Sequence, residues 1–336
     1  MNFERKTWET LRRRKPEAEV IYWNRVNPHA GHLPVDQAEE AVRCLLSLRR
    51  PVVAANCVFS AYHAKKRLDW GLVADAVDAA SLDSGKADSD IPVNHHFVWE
   101  LCELMSFLQN DPAADKARLV TLEYRFLPLA QHQSFSPKTL HGELSRNPAF
   151  FAELIEAQFI TKAESQDKNR TPDPAKAPIA EAARKLMKSW TGIPGSRPDG
   201  SIDASVLKTW IEDARKLCAA SDRIEICDAM LGDQLSCAPA DPDGTWPCQA
   251  VRDVLESVPT DEILGGFEVA VANQRGAHWK SMTEGGEKER ELAKKYADYA
   301  NKVKVASPRT ALTFRRLAQR YESEAKREDE RVEGRD

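Results

Sequence analysis

The sequence predicts an all-α protein, and two observations lead to that prediction. Ala, Leu, Glu, Lys and Arg, which are strong helix formers, fill most segments of the chain. Apolar residues recur at the spacing of one helix face, as at Ala38, Val42 and Leu45, and strict apolar/polar alternation with β-branched residues is nearly missing. We therefore expect many helices joined by short loops and no strand.

A helical hairpin in the first half shows how the helix boundaries are inferred. Leu33–Asp36 opens a helix, because a proline in the first turn loses no hydrogen bond there. Arg49 and Arg50 place positive charge at the end of that helix, where the helix dipole favours it. Pro51 begins the next helix, which runs from Val52 to about Lys65. Further helices are predicted over 70–80, 92–108, 114–130 and 137–144, and another begins after Asn147 and Pro148.

A polar stretch then marks the clearest boundary in the chain. Lys162–Pro178 contains three prolines and no large apolar residue, a composition typical of an exposed linker. The sequence therefore predicts an N-terminal helical-hairpin domain over 1–161, a linker over 162–178 and a C-terminal helical domain over 179–336. The helices of the last domain are predicted near 179–190, 204–219, 223–235, 247–257, 261–279, 287–304 and 308–330.

Two architectures fit this pattern about equally well. One is an irregular array of helix hairpins, a degenerate α-solenoid, in which each pair buries its apolar face on the next. The other is a pair of packed helical bundles with short loops. The hairpins have unequal lengths and no fixed repeat period, so the sequence leaves both open.

Composition excludes several classes of protein. The 336 residues carry 48 Lys and Arg against 52 Asp and Glu, a net charge of -4, which excludes a globally basic nucleic-acid binder. No run approaches the 18 apolar residues of a membrane-spanning helix, and the charged N-terminus lacks the apolar core of a secretory signal. We therefore expect a cytoplasmic protein with no membrane partner, in which the seven cysteines are reduced.

Charge is nevertheless unevenly distributed along the second half. Between Asp222 and Glu268 there are eleven acidic residues and two strong bases, Arg223 and Arg252. Between Lys288 and Arg320 there are ten bases against three acids. The sequence therefore predicts an acidic module followed by a basic C-terminal hairpin, which either attract one another as neighbouring helices or form a surface for a partner.

The segment between Gly265 and Arg290 is the most unusual candidate site. Gly285 and Gly286 immediately precede a helix, whose first backbone N–H groups are free to bind an anion. The alternative is that these glycines allow close helix packing and a sharp turn. It is not a P-loop, because the required glycine and lysine spacing is missing. The candidate partner- or anion-binding residues are Arg275, Trp279, Lys280, Gly285, Gly286, Lys288 and Arg290.

Other clusters of polar residues do not match a known catalytic or metal motif. His95, His96, Glu100, Cys102 and Glu103 share a helix without the H-E-x-x-H pattern. Cysteines 218, 227, 237 and 248 lack the close pairs of a structural zinc site. A pocket between helices is the remaining route to catalysis, and the polar residues that it would gather are Glu123, Arg125, His141 and Glu143. We therefore assign no catalytic residue, no cofactor and no metal.

Several segments resemble the helical C-terminal portions of very large, uncharacterised bacterial proteins. The similar segments are Tyr22–Pro51, Leu122–Leu129, Pro137–Ile155 and the stretch from Gly265 to Tyr321, and the resemblance extends from Tyr22 to about Asp329. It implies a helical-repeat region that normally adjoins an effector or nucleotide-binding portion, so that this chain would be a fragment, a split-gene product or a stand-alone version. Some of these proteins resemble bacterial conflict or anti-phage machinery.

The sequence leaves three functions open. The first is a non-enzymatic helical scaffold that binds a protein partner, as part of a larger bacterial effector or defence assembly. The second is contact with the phosphates of a nucleic acid or nucleotide through the basic C-terminal hairpin. The third is an enzyme with a pocket between helices.

Overall fold

The chain is all-α, as the sequence predicts. The computed structural model describes residues 3–83, 94–132, 135–166, 173–276 and 284–333. Over these residues it has seventeen α-helical segments and three 3₁₀ helices, and the only β-type pairing is one isolated bridge between Ser196 and Ile202. The helices form two compact units, Met1–Leu140 and His141–Asp336, called here the N-terminal and C-terminal units.

The N-terminal unit encloses one hydrophobic core. Helix α4 (Pro51–His63) is buried on nearly every side, because its small and β-branched residues allow the surrounding helices to approach closely. Arg50 caps the end of α2 (Pro16–Arg25) by donating from Nη1 to the carbonyl oxygens of Trp23 and Val26, both at 2.7 Å. The helices are α1 (Phe3–Arg14), α2 (Pro16–Arg25), α3 (Val35–Ser47), α4 (Pro51–His63), α5 (Trp70–Asp83), α6 (His95–Asn110), α7 (Lys116–Phe126) and α8 (Lys138–Arg146), with the unit boundary inside α8.

The C-terminal unit begins earlier in the chain than the domain that the polar stretch predicts. Phe151 lies in this unit against Trp190 and Trp210, with ring centroids 6.2 and 5.2 Å away, so its helix packs with those that follow the stretch. The polar stretch itself contains α10 (Lys162–Gln166) and the start of α11 (Ala177–Ser189). The helices of the unit are α9 (Pro148–Gln158), α10 (Lys162–Gln166), α11 (Ala177–Ser189), α12 (Ala204–Ala220), α13 (Ile224–Leu235), α14 (Gln249–Ser257), α15 (Glu262–Asn273), α16 (Glu287–Val303) and α17 (Pro308–Glu333).

Helix α15 ends before its predicted end at residue 279. It stops at Asn273, and Gly276 then adopts a φ of 66°, a left-handed conformation that glycine accepts without strain. Residues 277–279 lie outside the described residues.

Helices α13 and α15 cross so closely that their backbones touch. A Cβ atom on Gly232 would lie 2.0 Å from the carbonyl oxygen of Ile263, and one on Gly266 would lie 2.0 Å from the carbonyl oxygen of Ala229. Neither distance is sterically possible, so each glycine is required by the backbone of the opposite helix. The neighbouring Gly265 differs, because a Cβ there would meet no heavy atom within 4 Å.

Reciprocal capping joins α14 to α17. The Glu256 carboxylate accepts hydrogen bonds from the backbone N–H groups of Arg309 and Thr310, at 3.1 and 2.8 Å. In return, the Arg309 guanidinium donates to carbonyl oxygens at and beyond the end of α14, including that of Thr260 at 2.7 Å. Each helix end therefore receives the partners that its own backbone lacks.

The glycine crossing gives a direct test of packing. We expect Gly232→Ala and Gly266→Ala each to lower the free energy of unfolding by about 2–3 kcal/mol, because the added methyl group forces two backbones apart. Gly265→Ala is the matched control, and we expect it to raise stability by up to about 1 kcal/mol through helix propensity alone. Urea denaturation followed by circular dichroism measures all three. Equal effects at positions 265 and 266 would contradict the close crossing.

Candidate partner-binding groove

An open groove of about 630 Å³ lies on the C-terminal unit. Helix α11 and the end of α9 form one wall, and α13 and α15 form the other wall and the floor. The lining residues are Gln158, Phe159, Arg184, Met187, Lys188, Ala229, Met230, Asp233, Glu262, Gly265, Gly266 and Val269. Its volume lies within the usual range for sites that bind ligands or anchor side chains.

Small residues of α13 and α15 shape the floor of the groove. Gly265, Gly266 and Ala229 line the floor with little or no side chain, so backbone and a methyl group lie where larger residues would fill the space. Val269, one turn along α15, is 57% exposed at the edge of the groove. Phe159, Met187 and Met230 add further apolar surface. The result is an apolar floor between helical walls.

The two walls carry opposite charge. Helix α11 contains Arg184, Lys185 and Lys188 against a single acid, Glu181. Helices α13 and α15 contain five acids and no Lys, Arg or His. Asp233 is exposed on its wall, and partial desolvation by its neighbours raises the pKa of its carboxyl above the ordinary value.

Arg275 and Lys288 are paired within the chain, whereas four exposed bases of the C-terminal hairpin form no ion pair among the described residues: Lys294, Lys302, Lys304 and Arg315. Arg275 forms ion pairs with Glu289 and with Glu324, the latter at 3.5 Å, and its guanidinium lies over the Tyr321 ring at 5.6 Å. Lys288 pairs with Glu284 at 2.6 Å. Trp279 and Lys280 lie outside the described residues.

The predicted anion site at the start of α16 contains a carboxylate from the chain itself. The Gly286 N–H donates to Oδ1 of Asp329 at 2.8 Å, and Nη1 of Arg290 donates to Oδ2 of the same residue at 2.6 Å. A Cβ on Gly286 would lie 2.3 Å from the carbonyl oxygen of Ala325, so this glycine allows α16 to approach α17 closely. A Cβ on Gly285 would meet Oδ1 of Asp329 at 2.6 Å. The helix start therefore has the geometry of an anion site, with Asp329 as its anion.

The histidine and cysteine clusters do not form a metal site in the described residues. Nδ1 of His96 lies 3.2 Å from Oε1 of Glu100, and no group of three or more potential ligands is arranged around a common point in this part of the chain. The seven cysteines form no disulfide. Burial raises the pKa of Cys57 to about 12 and that of Cys102 to about 11, so neither is a thiolate at neutral pH.

The four polar residues proposed to share a pocket have separate structural partners. Glu123 is fully buried and accepts hydrogen bonds from the Thr139 and Leu140 N–H groups at 3.1 and 2.8 Å, as well as from Gln109. It therefore caps α8. The other three bind elsewhere: Arg125 to Asp78 at 2.9 Å, His141 to Ser189 at 2.9 Å and Glu143 to Asn147 at 3.0 Å.

A different polar pocket, of about 470 Å³, lies on the N-terminal unit. Its polar lining comprises His29, Asn56, Ser60, His63, Asn94, His96 and Glu100. The sequence places only His96 and Glu100 together, and the rest meet there through the fold. Both this pocket and the groove depend on residues far apart in the chain, which is why sequence reasoning missed them.

Comparison with known proteins does not narrow the function. No family model matches the chain, and neither a curated protein nor a solved structure shows significant similarity to it. In the described part of the chain, none of the helices has the length and apolar character needed to span a bilayer. A function must therefore be inferred from the geometry of the chain itself.

The half-buried imidazole of His141 predicts a pH dependence of stability. Burial lowers its pKa from 6.5 to about 4, so the folded state favours the neutral ring. Its contribution to stability is present above pH 6.5 and is lost as the pH falls towards 4, because the unfolded chain binds the proton more readily. We expect the free energy of unfolding of the wild type to fall more steeply over this window than that of His141→Gln. Parallel curves from urea titrations at several pH values would contradict this assignment.

Removing the internal anion tests the predicted phosphate contact. We expect Asp329→Ala to lower stability by about 1 kcal/mol, since Arg290 and the Gly286 N–H lose their acceptor. Inorganic sulfate should then raise the melting temperature of this variant more than that of the wild type, because it takes the place of the carboxylate. Differential scanning fluorimetry measures both effects, and Glu333→Ala, at the end of the same helix, is the control. An equal response to sulfate in all three proteins would show that the helix start does not select anions.

Proposed function

We propose that this chain is a non-enzymatic helical interaction module that binds a protein partner through the groove on its C-terminal unit. The observation that carries the proposal is the apolar floor between oppositely charged walls. Protein interfaces commonly have an apolar centre surrounded by a polar rim, and apolar side chains of a partner anchor in such grooves. A role within a larger bacterial effector or defence assembly, in the cytoplasm, is part of the same proposal.

The basic hairpin supports the nucleic-acid alternative less well. Phosphate binding requires cations that are available to the ligand, and the ion pairs of Arg275, Lys288 and Arg290 are with Asp and Glu side chains of the chain. Binding at these three residues would have to displace their internal partners. The exposed bases left for a phosphate are Lys294, Lys302, Lys304 and Arg315.

The enzyme alternative now has one specific observation in its favour. The polar pocket of the N-terminal unit gathers three histidines and Glu100, which are residue types suited to proton transfer. The histidine and carboxylate contact within it, His96 to Glu100, joins residues one helical turn apart. Such pairs are also common on ordinary helix surfaces, so interaction remains the function that we propose.

Filling the groove tests the proposal. We expect Gly265→Trp to leave the fold intact, because a side chain at this position extends into open space, and to abolish capture of the partner. Asn273→Trp is the matched control, since Asn273 is an exposed residue of the same helix beyond the groove. The measurement compares proteins and nucleic acids that copurify with each tagged full-length chain from the native host, by mass spectrometry and nucleic-acid staining.

The outcomes separate the candidate functions. A protein captured stoichiometrically by the wild type and Asn273→Trp, but lost from Gly265→Trp, supports the groove as its binding site. Equal capture by all three chains places the partner elsewhere and contradicts the proposal. Nucleic acid that elutes with salt from all three would favour the basic hairpin instead.

A further inference from the structure

The groove on the C-terminal unit also indicates which kind of protein segment it accepts, an inference that depends on the function proposed above. Its walls and floor are formed by α11, α13, α15 and the end of α9, and within the described residues no strand borders it. An extended peptide therefore finds no sheet edge to extend, and its backbone N–H and C=O groups would enter an apolar groove without partners. A helix satisfies those groups internally and presents only side chains. The geometry therefore favours a helical occupant.

Charge on the groove walls then specifies the flanks of that helix. Lys188 lies on the α11 wall, and Asp233 and Glu262 lie on the opposite wall. None of these three side chains forms an ion pair among the described residues, although Glu262 interacts electrostatically with Lys162, whose ion pair is with Glu225. By contrast, Arg184 pairs with Glu181 at 2.7 Å, and the other acids of α13 and α15 face Lys162, Arg215 or Arg316. The charges left for a partner are thus a base on one side and two acids on the other.

We propose that the groove binds an amphipathic helix with an apolar stripe, an acidic flank that faces α11 and a basic flank that faces α13 and α15. The apolar stripe, at i, i+3 or i+4 and i+7 positions, lies over the Gly265 and Gly266 floor beside Val269. The acidic flank pairs with Lys188, and the basic flank pairs with Asp233 and Glu262. Opposite charges on the walls also select the direction of the helix, because reversing it exchanges the two flanks.

Three synthetic helical peptides test this proposal against the full-length chain. All three share one leucine stripe, and their flanks carry Glu and Lys, Glu and Glu, or Lys and Lys. We expect the mixed peptide to bind about five- to tenfold more tightly than either of the others, because several rim charge pairs each contribute modestly. The advantage should shrink as salt is raised from about 50 to about 500 mM. Fluorescence anisotropy of labelled peptides measures the affinities.

Charge-reversed walls provide the matched controls. In Lys188→Glu the charges without ion-pair partners are acidic on both walls, so the preference should move to the Lys and Lys peptide. In the double variant Asp233→Lys and Glu262→Lys these charges are basic on both walls, so the preference should move to the Glu and Glu peptide. These exposed residues allow the substitutions without disturbing the core, which circular dichroism and thermal unfolding check.

Failure of the inference and failure of the proposed function give different results. If all three peptides bind the wild type with equal affinity and none binds Gly265→Trp, the groove binds helices but its charges do not discriminate between them. That result overturns the inference alone. If the mixed peptide fails to bind, or binds equally to Gly265→Trp, both the inference and the groove as an interaction site are overturned. A preference that follows the wall charges supports both.

Discussion

The close crossing of α13 and α15 is the constraint on which the C-terminal unit depends. Gly232 and Gly266 each lie against the backbone of the opposite helix, where even a methyl group does not fit. Such contact brings two helices closer than side chains normally allow, and it leaves little material above the crossing. Gly266 also lines the groove beside Gly265, so the crossing and the proposed site share this residue. A glycine that weakens its helix in isolation is therefore part of both the packing and the surface of the unit.

Charged side chains cap the ends of several helices in this fold. Arg50 and Arg309 donate to carbonyl oxygens at helix ends, while Glu123 and Glu256 accept from the first N–H groups of other helices. A protein built from many helices has many unpaired backbone groups at their ends, and short loops supply few partners for them. The abundance of charge in the sequence is thus partly structural. Counting bases in a segment therefore overstates the charge available to a ligand, as the basic C-terminal hairpin shows.

Local signals in the sequence predict the helices well and their assembly poorly. Apolar periodicity and prolines place most helices, because both act within a few turns of chain. No helix is predicted over α1 and α2, although Pro16 and two acids in the first turn begin α2. These two helices pack on one another through Trp8 and Trp23, whose ring centroids lie 4.9 Å apart. Gly265 and Gly266 are indistinguishable in the sequence, although one faces open space and the other a backbone. The sequence does not predict the groove either, because the lining residues come from four helices spread between Gln158 and Val269.

The fold changes the interpretation of the uneven charge along the sequence. From the sequence alone, the basic segment after Lys288 is the predicted site for a phosphate. The structure pairs Arg275, Lys288 and Arg290 with Glu289, Glu284 and Asp329, so these three predicted site residues already have partners within the chain. In the groove, Lys188 lies on one wall and Asp233 and Glu262 lie on the other, beside an apolar floor. A nucleic acid offers only negative charge to these groups, whereas the proposed amphipathic helix offers charge of both signs and an apolar stripe.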